Sequence, residues 1–175
     1  MSKQKKICYP DPNDDFWNKE CKCLIPFLSG KGVDIGSGPR SIFKEDLRVD
    51  LDERINPDIC CSGDALPFKN DEFDYLYSIH SFEHFENQVR LLREWARVVR
   101  KGGIIAIVHP DVSWTGVLRP FGLRPGENKY NEHKHEKSYS DFLSWLKENG
   151  GFGLKIIESG EAREAWSFYI ILKKI

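Results

Sequence analysis

A run of five consecutive apolar residues at positions 104–108, Ile-Ile-Ala-Ile-Val, limits the fold of this chain more than any other feature. A strand with one solvated face alternates apolar and polar residues, whereas an unbroken apolar run is typical of a strand covered on both faces. Such strands lie in parallel sheets whose two faces carry helices. The run therefore predicts an α/β fold built on a largely parallel sheet.

Strand-like and helix-like segments alternate along the rest of the chain. The predicted strands are residues 32–35, 47–51, 58–61, 73–79, 104–108, 154–158 and 166–172. The predicted helices are residues 16–28, 88–100 and 138–149, the second of them ended by Lys101-Gly102-Gly103. The link between the last two strands is too short for a parallel crossover, so this pair should be antiparallel. The pattern predicts a doubly wound, mostly parallel, seven-stranded sheet with an antiparallel last strand, in a single domain over residues 1–175.

Composition and charge exclude several function classes. The formal net charge of −1 predicts no strong field for a phosphate backbone, so a nucleic-acid substrate is disfavoured. No apolar run approaches the roughly 20 residues that span a bilayer. The basic N-terminus is followed by Cys8-Tyr9-Pro10-Asp11 rather than an apolar segment, so we expect no signal peptide and a cytoplasmic protein. Residues 1–15 are interpreted as an N-terminal arm, and the oligomeric state is left open.

Acidic residues accompany the ends of the first three predicted strands. Asp34 precedes the loop Gly36-Ser37-Gly38, Asp50 closes the second strand, and Asp64 follows the third. The carboxyl ends of parallel strands lie at one edge of a sheet, where open α/β sheets bind their ligands. A glycine loop lets backbone approach a ligand closely, and a strand-end carboxylate can accept hydrogen bonds from both hydroxyls of a ribose. The set predicts a nucleotide-like ligand in one crevice.

These motifs, in this order, resemble a class I methyltransferase. Residues 33–38 (VDIGSG), 49–50 (VD) and 63–68 (GDALPF) carry the resemblance, together with residues 71–85 and 92–103. The set is similar to the branch called type 11, and the match runs from about Gly32 to Pro110. The resemblance implies a Rossmann-like methyltransferase fold and S-adenosylmethionine as the cofactor.

The resemblance also implies roles for individual residues. Asp34 and the amides of Gly36, Ser37 and Gly38 would meet the methionine part of the cofactor. Asp50 would hold the ribose, with Leu51 beside it in the same set. Asp64 and the Ala65 amide would read the adenine, and the backbone at Ser78 would face the ammonium group. Two departures stand out: Arg40 replaces a frequent third glycine, and the short interval between Gly38 and Asp50 implies a stunted first helix.

The acceptor side is predicted from position in the chain. His80 follows the fourth strand, next to the expected methyl position, and an imidazole titrates near neutral pH, so His80 is the candidate general base. Residues 109–137 form a long segment without periodicity at the ligand edge, which indicates a substrate lid. The candidate acceptor-binding residues there are His109, Trp114, Tyr130 and His133. A small-molecule, sugar-like or lipid-like acceptor is expected.

Two alternatives compete with a methyltransferase. His80-x-x-Glu83-His84 fits an inverted zinc-hydrolase motif, in which both histidines bind the metal and the glutamate acts as base. It lacks an evident third ligand and sits within an intact methyltransferase pattern, so we expect no metal. The second alternative is a protein that binds S-adenosylmethionine without turnover, which Arg40 and the small size would permit.

Overall fold

The structure is a computed structural model, and it describes residues 15–113, 137–149, 151–163 and 166–175. The three α-helices within these residues are α1 (Asp15–Leu24), α2 (Gln88–Val98) and α3 (Tyr139–Asn149). The seven strands are β1 (Gly32–Ile35), β2 (Leu47–Asp50), β3 (Ile59–Cys60), β4 (Phe73–Ile79), β5 (Val99–Pro110), β6 (Leu154–Arg163) and β7 (Ser167–Lys174).

The strands form one sheet in the order β3-β2-β1-β4-β5-β7-β6. Strands β1 to β5 pair in parallel, and β7 is antiparallel to both of its neighbours, β5 and β6. The predicted mostly parallel sheet with an antiparallel last strand is therefore confirmed. The strand order reverses between β1 and β4, and the crevice at such a switch point is where doubly wound sheets bind ligands.

Two apolar cores cover the two faces of the sheet, as the run at 104–108 requires. Helices α2 and α3 pack on one face, where Leu91, Trp95 and Phe142 are fully buried. Helix α1 packs on the other face, where Leu24 lies against a core that includes Tyr77. Each buried side chain of this size contributes roughly 1.5–3 kcal/mol, so the cores hold rigid the strand ends that form the site.

Several element boundaries differ from the prediction. Helix α2 ends at Val98, and residues 99–103, predicted as the end of the helix and its glycine turn, begin β5. Val99 pairs with Phe73 of β4, and a Cβ on Gly103 would lie 2.6 Å from the Asp74 carbonyl oxygen. Tertiary pairing with β4 therefore extends this strand beyond its apolar run. Helix α1 ends earlier than predicted because Pro26 redirects the chain into a 3₁₀ turn.

No helix separates β1 from β2, in agreement with the stunted first helix. Turns fill this interval, and the guanidinium of Arg40 lies 5.0 Å from the centroid of the Trp17 ring in α1. The loop after β1 is thereby tied to the helix below it. Across the parts of the chain that the structure describes, none of the helices combines the length and apolarity that a bilayer crossing demands.

Candidate functional site

A cleft of about 520 Å³ lies at the carboxyl ends of β1, β2 and β4. Its walls come from the loops that follow these strands and β3. Of the residues predicted to bind a cofactor, the cleft is lined by Gly36, Gly38, Asp50, Leu51 and Asp64, and His80 also lines it. The remaining lining residues are Ile35, Val49, Cys61, Ser62, Gly63, Ser81, His84, Phe85 and Glu86. A volume of this size suits an organic ligand.

The glycine loop at the start of the cleft depends on left-handed backbone. Gly36 has φ +68° and Gly38 has φ +55°. A Cβ on Gly36 would lie 2.1 Å from the Ser81 hydroxyl oxygen, so the loop after β1 and the loop after β4 approach each other closely here. A Cβ on Gly38 would meet no atom within 4 Å, so this position leaves open space at the cleft wall.

The amide N–H groups of the glycine loop already donate hydrogen bonds within the protein. Gly36 N and Ser37 N both donate to the Val49 carbonyl, at 2.9 and 3.2 Å. Gly38 N donates to Asp50 Oδ2 at 2.9 Å. We expected these amides to face the cofactor. Instead, their hydrogen bonds hold the loop against the end of β2. The loop presents its Cα atoms to the cleft at Gly36 and Gly38.

Asp50 is fixed by backbone and faces the cleft. Its two carboxylate oxygens accept from Gly38 N and from Asp52 N, each at 2.9 Å. A carboxylate has about four acceptor positions, so two remain for a ligand that donates a pair of hydroxyl hydrogens. Leu51 beside it is 73% exposed, which leaves an apolar side chain at the rim of the cleft.

Asp64 forms the opposite part of the wall. Its Oδ1 accepts from the Ser62 hydroxyl at 2.6 Å, and Oδ2 lies 3.4 Å from Arg90 Nε. Ala65 is exposed outside the cleft lining, and its amide donates to the Ser62 carbonyl at 3.1 Å. Helix α2 supports this loop, since Trp95 Nε1 donates to the Gly63 carbonyl at 3.1 Å. The loop after β3 is therefore held rigidly beside the cleft.

Asp34 lies beneath the glycine loop rather than on the surface of the cleft. It is 4% exposed and accepts from the Ser41 hydroxyl at 2.6 Å, which in turn lies 3.0 Å from the Tyr77 hydroxyl. Burial raises the pKa of Asp34 to about 7, with the negative charge of Asp46 as a further cause and the Ser41 hydrogen bond opposing it. The structure thus gives Asp34 a place in the support of the loop.

His80 lies at the far wall of the cleft in strained backbone, with φ +53°. Its Nε2 lies 2.8 Å from Glu20 Oε1 of α1, and Glu20 also accepts from the Ser167 hydroxyl at 2.7 Å. Since a carboxylate only accepts, Nε2 of His80 carries the hydrogen. The ring also contacts Trp166, with a centroid distance of 5.0 Å. A non-glycine residue is strained in this conformation, and residues with strained backbone are often found at functional sites.

The sequence interpretation missed Glu20. A usable signal was present, because Phe16, Glu20 and Leu24 are spaced by four residues and fall on one face of a helix. An acidic residue on the apolar face of a helix needs a buried partner. Glu20 is 2% exposed and its partner is the candidate base. The pairing spans 60 residues, so only the fold brings the two together.

The other predicted positions fall in two groups. Ser78 of β4 and His109 of β5 are both fully buried and are not among the residues that line the cleft. Trp114, Tyr130 and His133, with most of the predicted lid at 109–137, lie outside the described residues, as does the arm at 1–14. Among residues that the structure does describe, no group of three or more His, Cys, Asp or Glu side chains stands close enough together to hold a metal ion.

Comparison with known proteins finds a family that part of the chain resembles. Residues 30–107 match the model of the type 11 methyltransferase domain, a segment that contains the glycine loop, Asp50, Asp64 and His80. This part of the chain, which is less than half of it, is similar to the type 11 branch of the class I S-adenosylmethionine-dependent methyltransferases. The similarity implies S-adenosylmethionine as the cofactor, in agreement with the prediction from the sequence.

Three similar proteins illustrate the breadth of the relationship. An uncharacterized protein of Methanocaldococcus jannaschii is 27% identical over 163 residues, which cover 85% of this chain and 78% of the relative. The methyltransferase GfsG of Streptomyces halstedii is 32% identical over 91 residues, but these cover 50% of this chain and 31% of GfsG. The crystal structure of an Aquifex aeolicus S-adenosylmethionine-dependent methyltransferase superposes with a TM-score of 0.69 at 15% identity, covering 94% of each chain. That structure supports the fold.

Proposed function

We propose that this protein is a methyltransferase, which transfers a methyl group from S-adenosylmethionine to a small-molecule acceptor in the cleft between the glycine loop and His80. The observation that carries the proposal is the lining of one cleft by Gly36, Gly38, Asp50 and Asp64 on one side and by His80 on the other. Sugar-like and lipid-like acceptors fall within this class. A nucleic-acid acceptor is disfavoured because the net charge of the chain is −1.

The residues of the cleft fit S-adenosylmethionine. Asp50 has acceptor positions left for the ribose hydroxyls, and the bare Cα of Gly38 leaves room beside the loop. Asp64, which lines the same cleft, is proposed to bind the adenine. When bound, the cofactor supplies a methyl group on a sulfonium, and the electrons of the broken carbon–sulfur bond stay on sulfur. Orientation of the acceptor toward that methyl group is then the main task of the protein.

His80 is the proposed general base where the acceptor atom has to lose a proton. Its ring is oriented by Glu20, and Nδ1 is the nitrogen whose lone pair can take a proton, because Nε2–H is donated to the Glu20 carboxylate. The proton would pass from the acceptor to Nδ1 and then to water. Residues 109–137 are proposed to complete the acceptor site as a lid, since they follow β5 at the same edge of the sheet.

Binding of the reaction product S-adenosylhomocysteine tests the cofactor site. Titration calorimetry is expected to give a dissociation constant in the micromolar range, about −8 kcal/mol. The melting temperature is expected to rise with ligand concentration, because the ligand binds only the folded state. Absence of both heat and a thermal shift at millimolar ligand would contradict the proposed function.

Replacement of Asp50 by alanine is expected to weaken S-adenosylhomocysteine by about 10- to 100-fold. The loss combines charged hydrogen bonds to the ligand, worth roughly 1.5–3 kcal/mol, with loosening of the Gly38 amide that the carboxylate now holds. Asp52→Ala is the matched control, since Asp52 is the next acidic residue, pairs with Arg54 and lies outside the cleft lining. Calorimetry on the two variants should separate them, and equal affinities would remove Asp50 from the site.

A further inference from the structure

Three buried side chains outside the cleft lining carry polar atoms that have no hydrogen-bond partner among the described residues. They are Ser78 in β4, Glu83 in the 3₁₀ turn after β4, and His109 in β5, and each is fully buried. The unpartnered atoms are Ser78 Oγ, both carboxylate oxygens of Glu83 and Nε2 of His109. Buried polar groups are almost always hydrogen-bonded, so an unpartnered set requires an explanation. We call these three residues the inner polar cluster.

The fold brings the inner polar cluster together on one side of the sheet. Ser78 pairs in register with Ile107, and His109 follows two residues later on the same face of β5, the face that α2 and α3 cover. The negative charge of Glu83 acts on His109, and Glu83 Oε1 lies 4.0 Å from His80 Nδ1. His80 lines the cleft, so the Glu83 end of the cluster lies next to a residue of the cleft wall.

The hydrogen-bonding character of the cluster can be worked out from its fixed contacts. His109 Nδ1 lies 2.7 Å from the Pro110 carbonyl oxygen, which can only accept, so Nδ1 carries the hydrogen. Burial lowers the pKa of His109, which keeps the ring neutral and leaves Nε2 as an acceptor. When it is ionised, the Glu83 carboxylate likewise can only accept hydrogen bonds. The cluster therefore offers several acceptors and a negative charge, with one hydroxyl that can serve either way.

We propose that the inner polar cluster binds the ammonium group of an amine acceptor, with Glu83 as its counter-charge and His109 Nε2 as a second hydrogen-bond acceptor. The inference rests on the proposed function and narrows the acceptor to an amine. An anion is repelled by Glu83, and a neutral hydroxyl brings only one hydrogen and no charge. An ammonium group brings several hydrogen-bond donors. It also brings a positive charge that pairs with the negative charge of a buried carboxylate.

The surroundings of the cluster strengthen such a contact. The His109 ring packs against Phe142 and Phe168 at centroid distances of 5.1 and 5.2 Å, and against Phe82 at 6.3 Å. Charged hydrogen bonds are stronger in such an apolar setting than in water. The amine must lose one proton before its nitrogen can be methylated. That proton goes to Nδ1 of His80, the base proposed above, and from there to water.

Three ligands that share one ring test the proposal. Benzylamine, benzyl alcohol and benzoate differ in charge and hydrogen-bond donors but little in size. Calorimetry with protein saturated in S-adenosylhomocysteine is expected to show millimolar or tighter binding of benzylamine, at least about 10-fold weaker binding of benzyl alcohol, and none of benzoate. Equal binding of all three ligands, or no binding of benzylamine, would overturn the proposal.

Glu83→Gln locates the contact. This variant is expected to weaken benzylamine at least about 10-fold and to leave S-adenosylhomocysteine within about twofold. The matched control is Glu148→Gln, which neutralises an exposed carboxylate of α3 outside the cleft lining and should leave benzylamine within about twofold.

The outcomes separate this inference from the proposed function. If wild-type protein fails to bind S-adenosylhomocysteine, the proposed function fails. If S-adenosylhomocysteine binds but Glu83→Gln leaves benzylamine unchanged, or Glu148→Gln weakens it equally, the inner polar cluster is not an amine site. If Glu83→Gln weakens S-adenosylhomocysteine as well, Glu83 holds the amino group of the cofactor, and the assignment to the acceptor is overturned.

Discussion

Replacement of Gly36 by alanine is expected to destabilise the fold by about 3 kcal/mol and to abolish measurable binding of S-adenosylhomocysteine. Two costs add at this position. Alanine at φ +68° pays roughly 1–2 kcal/mol for the left-handed backbone. Its Cβ would also lie 2.1 Å from the Ser81 hydroxyl oxygen and 2.4 Å from the Ser81 Cβ, and overpacking of this kind costs about 1–3 kcal/mol. Urea unfolding followed by far-ultraviolet circular dichroism measures the sum.

Gly38→Ala is the matched control two residues away. It carries the same backbone cost at φ +55°, but its Cβ would meet no atom within 4 Å. We expect a loss of only about 1–2 kcal/mol of unfolding free energy. The added methyl group would take up space at the cleft wall, so ligand affinity should fall even though the fold is retained. These results would show that Gly36 chiefly stabilises the fold, whereas Gly38 chiefly leaves space for the ligand.

The Ser81 contact can be separated from the backbone cost by a double-mutant cycle. Ser81→Gly removes the side chain that an alanine at position 36 would strike. In the double variant Gly36→Ala, Ser81→Gly, the steric part should be recovered and the backbone part should remain, which gives a coupling free energy of about 1–3 kcal/mol. Strict additivity of the two single variants would show that the loops do not meet at this point.

The sheet and one side of the cleft could be predicted because local signals agreed with tertiary structure there. The apolar run at 104–108 required cover on both faces, and the two cores supply it. Asp50 and Asp64 were placed at strand ends by their positions after predicted strands, and both line the cleft. Strand-end residues of a parallel sheet converge at one edge whatever the details of packing, so their proximity follows from topology alone.

The remaining features of the site depend on contacts that no local pattern encodes. Glu20 reaches His80 only because α1 packs under the sheet. The side chains of Glu83 and His109, which carry unpartnered atoms, come near each other only after β4 and β5 pair. The amides of the glycine loop were expected to face a ligand, but the end of β2 takes them as donors. Side-chain and backbone pairing of this kind is decided by competition among partners in the folded chain.

Asp34 shows how such competition becomes measurable as pH dependence. Its pKa is about 7 in the folded protein, against an ordinary value of 3.8, chiefly because the carboxyl is buried. Below about pH 4 the group is protonated in both states, and the stability associated with the neutral carboxyl is fully present. As the pH rises toward 7, the unfolded chain ionises while the folded chain does not, so this contribution is progressively lost. Wild-type protein should therefore become less stable over this window.

Asp34→Asn removes that titration, so the variant is expected to gain on wild type by about 4 kcal/mol between pH 4 and pH 8, an upper bound from the size of the shift. The difference between the two proteins isolates Asp34, because all other groups titrate in both. Any fixed penalty from the amide next to Ser41 shifts the difference equally at every pH.

The exposed Asp52 is the control: its pKa is lowered by Arg54, so its contribution is present above the unfolded pKa and is lost only as the pH falls below about 4. Urea unfolding of wild type, Asp34→Asn and Asp52→Asn at pH 4.5, 6 and 8 (roughly the limits and middle of the window) distinguishes the cases. A constant difference between wild type and Asp34→Asn across this range would mean that the carboxyl is ionised in the folded protein and that Ser41 and Tyr77 stabilise its charge.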